Sequence, residues 1–250
     1  MANFWDLVNK VIGQADLLLM VLDSRMLEKT RNQEIEDKVK ASGKPLILVL
    51  NKCDLVDKTY LENYKKKTRF YCVFVSAKNH LGTTLLREKI GITASKNGIK
   101  GDIKVGVLGY PNVGKSSIIN ALNGKSAAPV SSVSGYTKAV QNVRVGGKII
   151  MIDTPGVIPY DETDNNKHSM IGTIDHNREK DPDVVAINLM NEFPGLIEEF
   201  YNVEINDEKE ETLESIAVKN NMFLKGKEPD VMRAARKILY DWQTGKIVQK

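Results

Sequence analysis

The chain has 250 residues, of which 42% are hydrophobic and 27% are charged, and its formal net charge is +4 at pH 7. These proportions exclude a natively disordered chain and allow one α/β domain of ordinary size together with a small second unit. A charge excess of this size is compatible with a nucleic-acid partner but does not by itself indicate one.

Sequence features that would indicate export or membrane attachment are missing. The longest apolar run, residues 17–22, is too short to cross a bilayer, and residues 1–10 lack the pattern of a secretory signal. No lipidation motif is present. Cys53 and Cys72 do not have metal-ligand spacing. We therefore expect a cytoplasmic protein with reduced thiols and no membrane partner.

Two continuous apolar runs near the amino end predict buried strands. Residues 16–23 read DLLLMVLD and residues 46–50 read LILVL, with a polar helical stretch over residues 32–42 between them. Runs of this kind are typical of parallel strands that are covered on both faces. The first run ends at Asp23, Ser24 and Arg25, and the second leads directly into the segment NKCD.

The segment NKCD has a specific chemical use at the end of a buried strand. The Asp54 carboxylate can accept hydrogen bonds from N1–H and the exocyclic amine of guanine, a pair of donors that adenine does not offer. Asn51 is expected to tie this loop to a phosphate loop, and the Lys52 stem to lie along the base. The pattern alone leaves open that Asn51 and Asp54 are ordinary turn and helix-cap residues.

A third predicted strand, residues 70–75, ends in Ser76, Ala77 and Lys78. The backbone N–H of Ala77 could donate to guanine O6 and complete a base pocket, although three letters are a weak match. The lysine run 65–67 is more typical of a solvated face than of an RNA site. A helix over residues 81–90 and a flexible connection over residues 93–102 are expected to follow.

Residues 103–117 read IKVGVLGYPNVGKSS, which predicts a strand, a phosphate loop and a helix that ends near Gly124. In a GxxxxGK[ST] loop, backbone N–H groups surround the phosphates, the lysine reaches the β and γ oxygens, and the serine hydroxyl holds Mg²⁺. An accidental glycine turn is the alternative. The expected nucleotide contacts in this loop are Asn112, Val113, Gly114, Lys115, Ser116 and Ser117.

Two further segments are expected to sense the γ-phosphate. Thr137, in a small polar stretch over residues 125–138, could give its hydroxyl to Mg²⁺ and its N–H to the γ-phosphate. A hairpin with a turn at residues 146–147 ends in Asp153, Thr154, Pro155 and Gly156. Asp153 would hold Mg²⁺ through water, and the Gly156 N–H would contact the γ-phosphate. Lys115 and Thr137 are therefore the expected catalytic residues.

The carboxyl-terminal part of the chain predicts helices. Starts are expected at Pro182, near Gly195 and after Pro229, with another helix over residues 213–224. The domains are placed at residues 1–175 and 176–250. An acidic run over residues 204–214 argues against a surface that is uniformly coated with RNA. Four basic residues lie off the apolar stripe of the last helix, and phosphate contact and a solvated face both stay open for them: Arg233, Arg236, Lys237 and Lys246.

The order of these motifs is unusual, because the base-reading segments precede the phosphate-reading ones. With NKCD, SAK, GYPNVGKSS, GYT, DTPG and the tail FLKGKEPDVMRAARKILYDWQTGKI, the chain resembles the circularly permuted GTPases of the YlqF/YawG type, which assemble the large ribosomal subunit. Its DSR stands where those proteins usually carry DAR. The resemblance implies an α/β P-loop GTPase domain with a permuted, mostly parallel six-stranded sheet, followed by a small α-helical domain. It also implies GTP, GDP and Mg²⁺ as ligands, a monomer, and the large ribosomal subunit or its rRNA as partner.

The resemblance also bears on hydrolysis. Val157 occupies the position where Ras-like GTPases have a glutamine that orients water, so intrinsic hydrolysis is expected to be slow. Asn112 resembles an asparagine that lets related GTPases bind K⁺, with a loop-stabilising hydrogen bond as the alternative. No general base is assigned, since His80, His168 and His176 match no motif. The expected function is a GTP-dependent switch in large-subunit assembly. The alternatives are a switch on another RNA or protein target, or a P-loop phosphotransferase.

Overall fold

The computed structural model describes residues 4–124, 141–154, 170–171 and 175–249. The chain forms two compact units, residues 1–163 and residues 164–249. The sequence-based boundary between residues 175 and 176 stays a prediction. Within the described part, no helix is long and apolar enough to cross a bilayer.

The first unit is built on one mixed sheet. Its strand order is β3-β2-β1-β4-β6-β5, and all neighbouring pairs are parallel except β5 with β6. The mostly parallel six-stranded sheet expected from the sequence is confirmed among the described residues. The strands are β1 (Leu17–Asp23), β2 (Leu46–Asn51), β3 (Tyr71–Val75), β4 (Ile103–Leu108), β5 (Gln141–Arg144) and β6 (Ile149–Asp153).

Helices connect the parallel strands. Asn32 starts the third of them, because its side chain accepts a hydrogen bond from the backbone N–H of Ile35 at 2.9 Å. Short 3₁₀ turns at Ser24–Met26 and Cys53–Leu55 follow β1 and β2. The helices are α1 (Phe4–Gln14), α2 (Leu27–Thr30), α3 (Gln33–Ala41), α4 (Lys58–Lys67), α5 (Thr83–Lys96) and α6 (Lys115–Asn123).

Strand β1 lies in the middle of the sheet and is buried along its whole length. Its last residue, Asp23, is in register with Asn51 at the end of β2. Because these strands are parallel, the loops that follow them meet at one edge of the sheet, which is where open α/β sheets bind their ligands. The sheet therefore gathers the segments that the sequence analysis selected.

Helix α5 differs from the expectation, since it continues to Lys96 instead of ending at residue 90. Thr93 and Ala94 are buried and extend the buried face that begins with Leu86 and Ile90. The expected flexible connection over residues 93–102 is thus wrong in its first part. Burial of two small side chains outweighs the weak helix propensity of this segment.

The second unit is helical in its described part, as expected from the sequence. Pro182 occupies the first turn of α7, and α10 buries its apolar stripe. The indole N–H of Trp242 in that stripe donates to the backbone oxygen of Met170 at 2.9 Å. The helices are α7 (Pro182–Glu192), α8 (Leu196–Tyr201), α9 (Lys209–Lys219) and α10 (Val231–Gln243).

Two of the four basic residues off that stripe bind a buried carboxylate. The Nζ atoms of Lys237 and Lys246 each lie 2.7 Å from a different oxygen of Asp241. The Tyr201 hydroxyl donates to the same carboxylate at 2.7 Å. Burial raises the pKa of Asp241, but the hydrogen bonds from the two lysines and from Tyr201 outweigh burial and lower it. These lysines stabilise the helical unit and are not simply solvated.

The other two basic residues differ from each other. Arg236 donates to the backbone oxygens of His176 at 3.3 Å and Glu179 at 3.0 Å. The side chain of Arg233 is exposed. Of the four, Arg233 therefore fits the expectation of a solvated side chain best.

Candidate functional site

The loop between β4 and α6 is held in place by two glycines. Gly109 has φ +145° and Gly114 has φ +100°, a region that L side chains rarely adopt. A Cβ at Gly109 would lie 2.5 Å from the Val21 backbone oxygen, and one at Gly114 would lie 2.2 Å from the Asn51 amide nitrogen. Both glycines are therefore required by backbone conformation and by close packing.

Lys115 begins α6 and turns back over this loop. Its Nζ donates to the backbone oxygens of Gly109 at 2.9 Å and Tyr110 at 2.7 Å. Burial lowers the pKa of Lys115 to about 8, although Asp153 acts in the opposite direction. The lysine thus places its amine inside the loop, where a phosphate group would offer a stronger partner than two carbonyl oxygens.

Ser116 and Asp153 meet beside the same loop although they are far apart in the sequence. The Ser116 hydroxyl donates to Asp153 Oδ2 at 2.9 Å, and Asp153 is fully buried. The second carboxylate oxygen, Oδ1, has no hydrogen-bond partner in the described part of the chain. Burial raises the pKa of Asp153. A hydroxyl beside a carboxylate with one unused oxygen is a donor set that fits Mg²⁺, which prefers oxygen ligands and retains water.

Asn51 connects three loops through one side-chain amide. Its Nδ2 donates to the Val113 backbone oxygen at 2.8 Å, and its Oδ1 accepts from the Ala77 backbone N–H at 3.2 Å. Asn51 thus ties the NKCD loop to the phosphate loop, as expected. The Ala77 N–H, which we expected to face guanine O6, instead donates to Asn51 in this structure.

Asp54 and the loop after β3 lie together. Asn79 donates from its side-chain amide to Asp54 Oδ2 at 3.1 Å. Ser76 is buried, and its hydroxyl accepts from the Asn79 backbone N–H at 3.2 Å. The Lys78 side chain is exposed. The half-buried Asp54 carboxylate is therefore oriented by the loop that contains SAK.

A buried charge cluster beside the NKCD loop was not predicted. Arg25 donates to the two oxygens of Asp23 from Nε at 3.0 Å and Nη2 at 2.7 Å, and Lys52 Nζ lies 2.7 Å from Asp23 Oδ2. Burial raises the pKa of Asp23, but the two cations outweigh burial and hold it well below its usual range. Burial lowers the pKa of Lys52. The available signal was an acid at the last position of β1, the strand that neighbours β2, and an arginine two residues later.

Some of the remaining candidate residues lie in the part of the chain that the structure describes, and others lie outside it. Asn112 is half-buried with φ +60°, and Ser117 is half-buried in the first turn of α6. His80 is exposed. Thr137, Gly156, Val157 and His168 lie outside the described residues. The structure therefore assembles the following predicted residues at one sheet edge: Asn51, Lys52, Asp54, Ser76, Ala77, Lys78, Asn112, Val113, Gly114, Lys115, Ser116, Ser117 and Asp153.

Two protein-family models match the chain. One, described as RsgA GTPase, matches residues 14–162, which is more than half of the chain. The other, described as 50S ribosome-binding GTPase, matches residues 104–224. The first match includes NKCD, the phosphate loop and DTPG in the permuted order.

Curated proteins provide relatives over nearly the whole chain. An uncharacterized GTP-binding protein of Methanocaldococcus jannaschii is 44% identical, and the alignment covers 96% of this chain and 65% of that protein. Nucleolar GTP-binding protein 2 of Neurospora crassa is 35% identical over 98% of this chain and 41% of its own length. The chain thus spans between about two fifths and two thirds of the length of these relatives.

Solved structures of YlqF have the same fold. The GNP-bound protein from T. maritima superposes with a TM-score of 0.66 at 21% identity, covering 96% of this chain and 93% of that one. A GDP-bound YlqF structure superposes with a TM-score of 0.68 at 22% identity, covering 97% and 96%. Together with the family model that matches more than half of its residues, the permuted order of its strands and motifs places this chain in the RsgA GTPase family of circularly permuted GTPases.

Proposed function

We propose that this chain is a GTP-hydrolysing switch that acts in the assembly of the large ribosomal subunit. The contacts of Asn51 are the observation that carries the nucleotide part of the proposal. One amide joins the phosphate loop at Val113 to the base-side loop at Ala77. The NKCD loop, the SAK loop and the phosphate loop, which are far apart in the sequence, can therefore surround one nucleotide.

The base-side loops supply the guanine contacts. The two oxygens of Asp54 accept from N1–H and the exocyclic amine of guanine, and the Lys52 stem lies along the base. A site built for such a pair rejects a base that cannot provide both donors, because the carboxylate would be left unmatched. Binding of guanine O6 requires the Ala77 N–H to turn from Asn51 or to be shared with it. Ser76 and Lys78 complete this loop.

The phosphate-side residues hold the triphosphate and Mg²⁺. Lys115 moves its amine from the carbonyl oxygens of its own loop to the phosphates, while the loop N–H groups from Asn112 to Ser117 surround them. Ser116 would hold Mg²⁺ and Asp153 would support it through water, with Thr137 and Gly156 as further contacts at the γ-phosphate. When bound, Mg²⁺ would neutralise negative charge on the phosphates during phosphoryl transfer to water.

Hydrolysis is slow in this proposal, since Val157 cannot orient water. Asn112, which lies in the phosphate loop with φ +60°, would hold K⁺ near the phosphates. Rates of phosphate release in K⁺ and in Na⁺ test this role. A several-fold stimulation by K⁺ that Asn112→Ala removes supports it, whereas equal rates in both salts leave Asn112 as a structural residue of the loop.

The ribosomal part of the proposal is supported by likeness to other proteins. The model described as 50S ribosome-binding GTPase matches residues 104–224, and several relatives are named nucleolar GTP-binding proteins or nucleolar GTPases. We extend this to a monomeric, cytoplasmic chain whose GTP form binds an immature large subunit or its rRNA and leaves after hydrolysis.

Co-sedimentation with ribosomal subunits tests the proposal. The protein is spun with isolated large and small subunits in the presence of a non-hydrolysable GTP analogue, GDP or no nucleotide. We expect recovery with large subunits in the analogue only, and no such recovery for Lys115→Met. Equal recovery with GDP would contradict the assembly role, and equal affinity for ATP and GTP would contradict the guanine site itself.

A further inference from the structure

Arg25 binds the Asp23 carboxylate through three donors. Its Nε and Nη2 contact Oδ1 at 3.0 Å and Oδ2 at 2.7 Å, and its backbone N–H donates to Oδ1 at 3.1 Å. Both side chains are only 2% exposed. A planar guanidinium that binds both oxygens fixes the plane of a carboxylate, which a lysine cannot do.

The orientation of Asp23 matters because the carboxylate also binds Lys52. The Nζ of Lys52 lies 2.7 Å from Asp23 Oδ2, the oxygen that also accepts from Arg25 Nη2. Asp23 is in register with Asn51, so the ion pair crosses from β1 to the loop after β2. The direction of the Lys52 side chain is thereby set by a residue on the neighbouring strand.

Lys52 itself has an unfavourable backbone conformation. Its φ of +60° and ψ of +33° lie in the left-handed region, which is unfavourable for a residue with a side chain. Such a conformation persists only when the surroundings enforce it. Lys52 is flanked by Asn51, which is fixed at both ends of its amide, and its ammonium is fixed by Asp23.

We infer that Arg25 is a positioning residue for guanine-nucleotide binding, an inference that rests on the proposed function. Arg25 fixes the plane of the Asp23 carboxylate, and Asp23 holds the Lys52 ammonium. The NKCD loop is therefore set before a nucleotide arrives. Loss of the Arg25 side chain removes the fork that fixes the carboxylate plane and leaves the backbone N–H of residue 25 on Oδ1. The direction of Lys52 is then less well defined, so that ordering it has to accompany binding.

The first unit contains a matched ion pair that can serve as a control. Arg31 contacts Glu36 through Nε at 2.5 Å and Nη2 at 2.8 Å, and Glu36 is 2% exposed. This pair has the same fork geometry and a buried carboxylate, but Glu36 lies on α3 and its partner Arg31 lies just before that helix, so neither residue belongs to the NKCD loop. A loss of general stability alone would therefore appear in both variants.

A double-mutant cycle on GDP affinity tests the inference. The dissociation constant is measured by titration calorimetry for the unmodified protein, Arg25→Met, Lys52→Met and the double variant. We expect each single change to weaken binding about tenfold and the double variant to be about as weak as Lys52→Met, because both changes remove one interaction. Arg31→Met should leave the GDP dissociation constant unchanged, and its effect should be independent of Lys52→Met.

The outcomes separate this inference from the proposed function. If the unmodified protein fails to bind GDP, the proposed function is wrong. If it binds GDP and the effects of Arg25→Met and Lys52→Met multiply to about a hundredfold, Arg25 does not act through Lys52 and only the inference is overturned. Arg25→Lys, which keeps the charge but loses the fork, replaces Arg25→Met in the same cycle if thermal unfolding shows that Arg25→Met does not fold.

Discussion

The base side and the phosphate side of the nucleotide site differ in how their polar groups are satisfied. On the base side, Asn51 bonds to Val113 and Ala77 in two other loops, and Lys52 bonds to Asp23 at the end of the neighbouring strand. On the phosphate side, Lys115 donates to carbonyl oxygens of its own loop and Ser116 donates to Asp153.

This difference suggests separate roles for the two sides: the base side selects guanine, and the phosphate side responds to the γ-phosphate. Contacts between loops hold the base side together in advance, so in the proposed site the rearrangement on binding guanine is limited to two groups: the Ala77 N–H, which donates to Asn51, and the Asp54 carboxylate, which accepts from Asn79. In the proposed site, the lysine and serine on the phosphate side exchange hydrogen-bond partners when a triphosphate and Mg²⁺ enter. The proposal thus has a nucleotide recognised by loops that are tied together in advance, and sensed by side chains that change their hydrogen bonds.

The largest effect is expected from a change on the base side. Asp54→Asn replaces an acceptor with an amide that presents a donor to guanine, so GDP affinity should fall on the order of 1000-fold while affinity for xanthosine diphosphate rises. Competition titrations with both nucleotides measure the switch. Asp57→Asn, an exposed cap three residues further on, is the matched control and should leave both affinities unchanged. Retention of guanine preference by Asp54→Asn would show that Asp54 does not read the base.

The next largest effect is expected on the phosphate side. Lys115→Met removes charge-assisted hydrogen bonds, each worth about 1.5–3 kcal/mol, and should weaken GTP binding about 100-fold without changing the preference for guanine over xanthine. Fluorescent-nucleotide titrations give both quantities. Lys104→Met, an exposed lysine on β4, provides the comparison. If Lys115→Met altered the preference for guanine over xanthine, base selection and phosphate binding would not be separate properties of the two sides.

A smaller effect is expected from removing Mg²⁺. The magnesium ratio is the GTP dissociation constant after chelation divided by the constant with Mg²⁺ present. It should be about ten for the unmodified protein and near one for Asp153→Asn, because the buried carboxylate no longer supports the ion. Asp102→Asn, at an exposed ion pair with Arg144, should retain the full ratio. An unchanged magnesium ratio in Asp153→Asn would remove Asp153 from the metal site.

The smallest effect is a pH dependence of folding on the base side. The pKa of Asp23 is lowered in the folded protein, so the carboxylate stabilises the fold above its unfolded pKa of about 3.9, and this stability is lost as the pH falls below that value. The stability difference between the unmodified protein and Asp23→Asn should therefore narrow by about 1 kcal/mol per pH unit below pH 4. Urea unfolding at several pH values measures it.

Most of the fold could be predicted because its signals are local. The continuous apolar runs that became β1 and β2 indicate strands covered on both faces, and the pair Asp181–Pro182 indicates a helix start. The end of α5 was missed, although Thr93 and Ala94 continue the helical spacing of Leu86 and Ile90, because these two side chains are small and their burial becomes evident only in the folded chain.

The site was predictable where a motif carries its own geometry, as in the glycines of the phosphate loop. The ion pair between Asp23 and Lys52 joins residues 29 positions apart and exists only because β1 and β2 pair in one register. A shift of that register would separate the two side chains, and no spacing in the sequence specifies it. The hydrogen bond from the Ala77 N–H to Asn51 was also not predicted, because it too depends on how neighbouring strands pair.

The close approach of Gly114 to Asn51 also limits how the chain can evolve. Any side chain at position 114 would meet the Asn51 amide at 2.2 Å, and replacing Asn51 with a smaller residue would open that space but disconnect three loops. The φ of +100° at Gly114 would still disfavour a side chain there. Gly114, which directly precedes α6, and Asn51, at the end of β2, therefore cannot be replaced one at a time without a steric clash or the loss of contacts between loops.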